Sequence, residues 1–329
     1  MIEKESTAKQ AVFSPRVRLA RIYRIVRSLR TQPGYTLMRG VARFKLAREL
    51  VAYARSTMQA KKLAIYRNDC ENRMGNTLFP QLDQPKIVNE LRRAGVAFGL
   101  KLPTEVVSAI NNYAATSVCY ADRIPTCGFT LDQRLEAETI LGKPILVAQY
   151  FNTESHCPEI AQLVQDPALQ AIACEYLGSV PTFVGANLWW TFPVEALESD
   201  RDRHAHLFHR DVDDFRFFKF FFYLTDVAPA DGAHVCVSGS HNHPPQSRST
   251  DRWNIRRYTD QEIEAQYSKN SILEICGVAG EGFAENTLCV HKGLTPTQQP
   301  RLLLQLQFAL FDYGAMHDLR ESKMLRLMM

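Results

Sequence analysis

The feature that most constrains this chain is the triplet His209-Arg210-Asp211, read together with His291 and Arg301 further along. In a strand, successive side chains point to opposite faces, so His209 and Asp211 project to the same side. A second imidazole from a distant strand, His291 in Leu-Cys-Val-His-Lys-Gly, completes a three-ligand face. Two imidazoles and one carboxylate are the set that holds Fe(II) from one side and leaves its other positions open. Arg301 opens the apolar run Arg-Leu-Leu-Leu-Gln-Leu-Gln-Phe. Its guanidinium offers a planar fork, permanently charged, to a carboxylate. Many short strands after a helical start predict a mainly β chain with helices. Its core is expected to be a double-stranded β-helix of the jelly-roll or cupin type, with an N-terminal helical arm.

A histidine and an aspartate two apart are weak evidence alone. Three further stretches make the pattern resemble the phytanoyl-CoA dioxygenase family of Fe(II)/2-oxoglutarate oxygenases. Phe221 to Ala233 is similar to the strand and turn that follow the family's metal motif. Ser238-Gly239-Ser240-His241 resembles its Pro-Gly-Ser-His turn, with Ser in place of Pro. Val290-His291-Lys292-Gly293 through Pro300-Arg301 resembles its distal histidine and 2-oxoglutarate arginine. The resemblance spans residues 85 to 312 and is densest from 203 onward. It implies His209, Asp211 and His291 as catalytic metal ligands, with Fe(II), 2-oxoglutarate and O2 as cofactor and co-substrates. It also implies Arg301 as partner of the far 2-oxoglutarate carboxylate, helped by the Thr297 hydroxyl. The expected outcome is hydroxylation of an unactivated C–H in a small metabolite or natural product, with release of succinate and CO2. Desaturation, cyclisation and epimerisation run on the same cofactors. Halogenating relatives have a small residue in place of the carboxylate, so Asp211 argues for oxygenation.

Other residues are placed by strand periodicity. Phe183 to Phe192 reads as a strand, with Trp189 and Trp190 on opposite faces. One is expected in the core and the other at the pocket. Asn187 shares the face of Trp189 and is a candidate contact for 2-oxoglutarate or substrate. Phe215 to Asp226 has aromatics on both faces, which implies burial on both. Lys219 within it needs a partner or an opening, and Tyr223 shares its face. His204 and His206 are expected at the surface or behind the ligands. Glu195 to Arg203 reads as a charged loop before the metal motif, and Thr259 to Glu262 as a capping box opening a short helix.

Charge divides the chain. Residues 1–68 hold 16 Lys or Arg against 3 Asp or Glu, a balance of +13, so the remainder of the +4 chain carries −9. The expected organisation is a basic helical arm (1–68), a linker (69–84) and an oxygenase domain (85–329). Two amphipathic helices within 14–63 are expected to cover the body, a second copy or an anionic membrane surface. Aromatics there are too few for base stacking, so no nucleic-acid partner is expected. The eight cysteines form no Cys-x-x-Cys pair, which argues for reduced thiols and a cytoplasmic setting. Readings from other classes are a non-catalytic, metal-binding cupin-like protein, a zinc hydrolase, and a membrane-surface module built on the arm. The hydrolase would have no special need for Arg301.

Overall fold

The computed structural model describes residues 28–246, 257–314 and 318–328. The arginine-rich helix expected from Ser14 to Arg30 falls largely outside them. The basic helix expected over 35–63 is two helices, α1 (Pro33–Val41) and α2 (Lys45–Arg73). Arg48 stabilises the break by donating to the carbonyl of Ala42 at 2.8 Å. The segment expected as linker from residue 69 begins later, because α2 continues to Arg73. There Arg73 pairs with Asp69 at 2.8 Å and donates to the carbonyl of Gln165 at 3.1 Å.

α3 (Gln84–Ala94) begins where Asp83 accepts from the Lys86 amide, and it ends at Gly95 in the left-handed conformation. α4 (Pro167–Leu177) starts at the expected Asp166-Pro167 break. Asp166 accepts from the amides of Ala168 (2.9 Å) and Leu169 (3.2 Å), and also from the Leu78 amide at 2.7 Å. One carboxylate therefore caps α4 and ties down the chain that follows α2. Arg67 and Arg92 both reach Glu175 on α4, at 2.7 and 3.0 Å. The basic helix lies against the body, with Ala52, Leu63 and Cys70 buried.

The strands are β1 (Val96–Lys101), β2 (Cys119–Ala121), β3 (Gly128–Phe129), β4 (Val147–Tyr150), β5 (Thr182–Thr191), β6 (Phe217–Tyr223), β7 (His234–Val237), β8 (Ile272–Ile275), β9 (Glu281–Glu285), β10 (His291–Gly293) and β11 (Arg301–Ala309). They form a large sheet in the order β1-β9-β6-β11-β5-β4-β2-β3 and a small sheet in the order β10-β7-β8. Pairing within both is antiparallel, and an isolated bridge between His209 and His291 widens the small sheet by a further segment. Two antiparallel sheets enclosing a cavity are the expected jelly-roll core.

Between the two sheets the chain turns sharply: β9 ends at Glu285 and β10 starts at His291. Asn286 makes that turn: its side chain accepts from the Leu288 amide and its carbonyl from the Cys289 amide. The charged loop contains a short helix, Glu198–Arg203. The tail after Tyr313 shows among its described residues a short helical turn at Ser322–Met324 and a bridge from Leu327 to Gly128.

Strand alternation decides what faces the cavity. Phe218, Phe220 and Phe222 of β6 join Leu302, Leu304 and Leu306 of β11 and Ala186 and Leu188 of β5 in the main core under the helices. Each buried Phe or Leu among them contributes about 1.5–3 kcal/mol. The intervening residues point between the sheets: Asn187, Trp189, Lys219, Phe221, Arg301, Leu303 and Gln305 line the cavity.

Gly95 shows how tightly α3 holds the site. Its φ is +76°, and a Cβ there would lie 2.3 Å from the Cys289 sulfur and 2.6 Å from His241 Nδ1. Gly95→Ala is expected to destabilise the fold by about 1–3 kcal/mol, from left-handed strain plus overpacking. The check is a lower denaturant midpoint at unchanged slope.

Candidate metal centre

His209 and His291 form a reciprocal backbone pair, with each amide donating to the other's carbonyl at 3.0 and 2.9 Å. Such a pair sets both side chains on one face. The two rings stand 4.2 Å apart, centre to centre. Asp211 joins them because its amide donates to the carbonyl of Thr287 at 2.8 Å. Between them Arg210 turns away, and its Nε donates to the carbonyl of Leu288. The Asp211 carboxylate lies 3.7 Å from His209 Nε2 and 3.6 Å from His291 Nε2. Among the described residues, these three are the one group of His, Cys, Asp or Glu whose ligand atoms all fall within 4.8 Å of one another.

Both imidazoles are oriented alike. His209 Nδ1 meets the carbonyl of Leu207 at 3.0 Å, and His291 Nδ1 meets that of Cys289 at 2.9 Å. A carbonyl only accepts, so Nδ1 carries the proton and Nε2 presents its lone pair to the third ligand. Burial, with His291 beside it, pushes His209 well below the usual imidazole range. Burial alone would raise Asp211, but Lys219 and the two histidines hold it well below the usual carboxylate range. An ionised Asp211 and a neutral His209 are the forms that bind a divalent cation.

Lys219 resolves the question its sequence position posed, since it both finds carboxylates and faces the cavity. Its Nζ donates to Asp211 at 2.6 Å and lies 3.4 Å from Asp213. Behind the distal ligand, His234 Nε2 contacts Glu285 at 2.6 Å, and the other Glu285 oxygen lies 3.9 Å from His291 Nδ1. Burial lowers His234, so the neutral ring donates to the carboxylate.

Arg301 enters from β11 opposite Thr191 of β5. It donates to the carbonyl of Gly232 and, at 3.2 Å, to the Thr191 hydroxyl. Among the described residues its Nε has no partner and its acceptors are both neutral. A buried guanidinium without a counter-charge is a place for an anion. Gly293 lies beside it, where a Cβ would stand 3.4 Å from Arg301 Nη2. The cavity these residues share measures about 190 Å³.

The remaining candidates divide. Asn187 and Trp189 line the cavity, and Asn187 accepts from Gln149 at 3.0 Å. Trp190 does not: it packs in the main core, and its Nε1 donates to the Tyr150 hydroxyl. Tyr223 lies on the inner face beyond the cavity, where its hydroxyl is bound between the Ile275 carbonyl and the His234 amide. Thr297 is exposed, with its hydroxyl on the carbonyl of Ala230. Thr191 makes the hydroxyl contact to Arg301 that Thr297 was expected to supply. His204 and His206 are buried, not at the surface, and both line the cavity. His204 Nε2 contacts Asp122 and His206 Nδ1 contacts Thr295.

Sequence reasoning missed Thr191, Arg123, His234 and Glu285. Alternation from Asn187 and Trp189 puts Thr191 on the cavity face and would have found it. The other three carry no sequence signal, because each reaches the site through pairing of distant segments.

No family model matches the chain, and no curated protein matches it. Solved structures do. One is the epimerase SnoN in complex with Fe3+, alpha ketoglutarate and nogalamycin RO: 17% identity, 68% of this chain and 82% of that one, TM-score 0.46. Another is HygX from Streptomyces hygroscopicus with nickel, 2-oxoglutarate and hygromycin B bound: 12% identity, 69% and 87%, TM-score 0.48. A third is SnoK, a non-heme alpha ketoglutarate dependent carbocyclase from nogalamycin biosynthesis: 18% identity, 70% and 85%, TM-score 0.47.

Lys219 orients Asp211 and keeps it ionised. Lys219→Met is expected to weaken divalent-metal binding about tenfold at pH 7, the low end for a residue supporting a ligand. The deficit should grow toward pH 5: with its cation gone, burial raises the Asp211 carboxyl and protons compete with metal. Competition against a chelating indicator at several pH values reads both effects.

Proposed function

We propose that this chain is an Fe(II)/2-oxoglutarate-dependent oxygenase that hydroxylates a C–H of a small metabolite or natural product. The observation that carries the reading is Arg301. A buried guanidinium bonded only to neutral acceptors lines the same cavity as a two-histidine, one-aspartate face. A metal-binding protein or a zinc hydrolase would need the three ligands, but not the fork beside them. The motifs around Asp211, Ser238 and Arg301 support the narrower likeness to the phytanoyl-CoA dioxygenase family.

His209 Nε2, Asp211 and His291 Nε2 would hold the metal. Iron bound there supplies the oxidising power, with O2, 2-oxoglutarate and R–H giving R–OH, succinate and CO2. Arg301 binds the far carboxylate of 2-oxoglutarate, and Thr191 fixes the guanidinium. Lys219 holds the Asp211 carboxylate in place beside the two histidines, where the three would bind a metal at the cavity wall. Phe221 and Leu303 exclude water from the inner wall. Desaturation, cyclisation and epimerisation use the same ligands; the shape of the substrate cavity selects among them.

Anaerobic titration with Fe(II) and 2-oxoglutarate is expected to give the weak visible metal-to-ligand charge-transfer band. Arg301→Ala should raise the 2-oxoglutarate needed by about two orders of magnitude, within the 2–5 kcal/mol range for truncating one partner of a buried charge pair. A folded, iron-loaded protein without the band would overturn the reading in favour of a binding protein.

A second reading concerns the arm. Leu46, Leu50 and Tyr53 are 68–75% exposed along α2. Their spacing puts them on one helix face, in the segment of highest positive charge. No described helix is long and apolar enough to cross a membrane. This row suits a peripheral contact with anionic lipid. Co-sedimentation with phosphatidylserine vesicles should be salt-sensitive and lost in Leu46→Glu/Leu50→Glu. A folded wild type that stays in the supernatant at low salt would exclude it.

A further inference from the structure

Arg123 stands at the cavity and has no assigned task. Its side chain is exposed, and it lines the same cavity as the metal-ligand face. Among the described residues no hydrogen bond or ion pair reaches its guanidinium; its contact is with the Trp189 ring, whose centre is 5.8 Å away.

The backbone holds Arg123 there against its preference. Asp122 and Arg123 are consecutive non-glycine residues in the left-handed region, with φ of 53° and 62°. Such conformations persist only where the surroundings over-determine them, and they cluster at functional sites. The surroundings here are specific. The Asp122 carboxylate is held by Lys143 at 2.6 Å and His204 at 3.1 Å, and its amide donates to the carbonyl of Val147 at 2.9 Å. Burial alone would raise the Asp122 carboxyl, but His204 and Lys143 bring it down to about 2, so the clamp stays ionised across the physiological range.

Charge accounting then isolates Arg123. Arg123, Lys219 and Arg301 are the cations lining the cavity, and Asp211 and Asp213 the carboxylates. Lys219 is engaged by both carboxylates. A divalent metal and the dianionic co-substrate cancel each other, and Arg301 is occupied by that co-substrate. The remaining charge is +1, and it sits on Arg123. A cationic fork over an aromatic face is suited to an oxyanion on an otherwise apolar molecule.

We infer that Arg123 is the substrate-anchoring residue, and that the substrate is a small molecule bearing a carboxylate, phosphate or sulfate that docks on it beside Trp189. Naming the ligand a substrate rests on the oxygenase reading above. The anion site can be tested separately.

The test is calorimetric binding to metal- and 2-oxoglutarate-loaded protein without O2. The probes are matched pairs: aliphatic and aryl carboxylic acids against their amides, and phosphate and sulfate monoesters against the free alcohols. Wild type is expected to bind anionic members at least tenfold tighter than their neutral partners. Arg123→Asn, which removes the charge and tolerates the left-handed turn, should lose that preference, while Arg123→Lys keeps part of it. Neutral members should bind all three proteins alike. Equal binding of charged and neutral members, no binding of any anionic member, or anion binding unchanged in Arg123→Asn would each overturn the proposal. The charged-against-neutral comparison in wild type holds even if a variant misfolds. 2-Oxoglutarate is titrated in parallel. Loss of its binding in Arg123→Asn would assign Arg123 to the co-substrate and defeat the proposal. Arg123-dependent binding of anionic probes by a wild type that takes no 2-oxoglutarate would keep the anion site and defeat the oxygenase reading instead.

Discussion

The centre of this protein depends on two backbone hydrogen bonds, those exchanged by His209 and His291. The residues are far apart in sequence, and the small sheet closes where they meet. This reciprocal pair sets the rings on one face and lets the i−2 carbonyls of Leu207 and Cys289 fix both tautomers. The same ladder feeds the Thr287 carbonyl to the Asp211 amide and the Leu288 carbonyl to Arg210. The metal face is a consequence of strand pairing.

Around it, period-two alternation sorts one set of strands into two environments. In β5, β6 and β11 alternate residues fill an apolar core beneath the helices, where dense packing makes the wall rigid. The residues between them carry the polar groups, and each buried charge has a fate. Lys219 is satisfied by Asp211 and Asp213. Glu285 is satisfied on one oxygen by His234. Arg301 has only neutral acceptors. Burying a charge is tolerable when it is paired, and Arg301 is the buried charge of this wall whose fork meets neutral acceptors among the described residues.

The arm belongs to this economy of contacts. Asp166 caps α4 and receives the Leu78 amide, and Glu175 gathers Arg67 and Arg92. Arg67 of the basic segment and Arg92 of the body thus meet on one carboxylate of α4, while Asp166 fixes the chain that follows α2. The outer face of α2, with Leu46, Leu50 and Tyr53, is left to solvent.

The sequence by itself determined the two-histidine, one-aspartate cluster, the arginine on the closing strand and the alternation that aims Asn187, Trp189 and Lys219 inward. These follow from local rules, since a two-residue period and a ligand chemistry are written in neighbouring residues. It misplaced Thr297, left open which of Trp189 and Trp190 enters the core, and overlooked Arg123, His234, Glu285 and Thr191. Whether Thr191 or Thr297 meets Arg301 depends on register between β5 and β11, which no local pattern encodes. His234 reaches Glu285 because β7 lies in the small sheet and β9 in the large one, facing across the cavity. Arg123 reaches the metal face through a strained turn whose clamp, Lys143 and His204, comes from two other segments. Tertiary structure decided these contacts because each depends on the distance between chain segments that only the closed fold brings together.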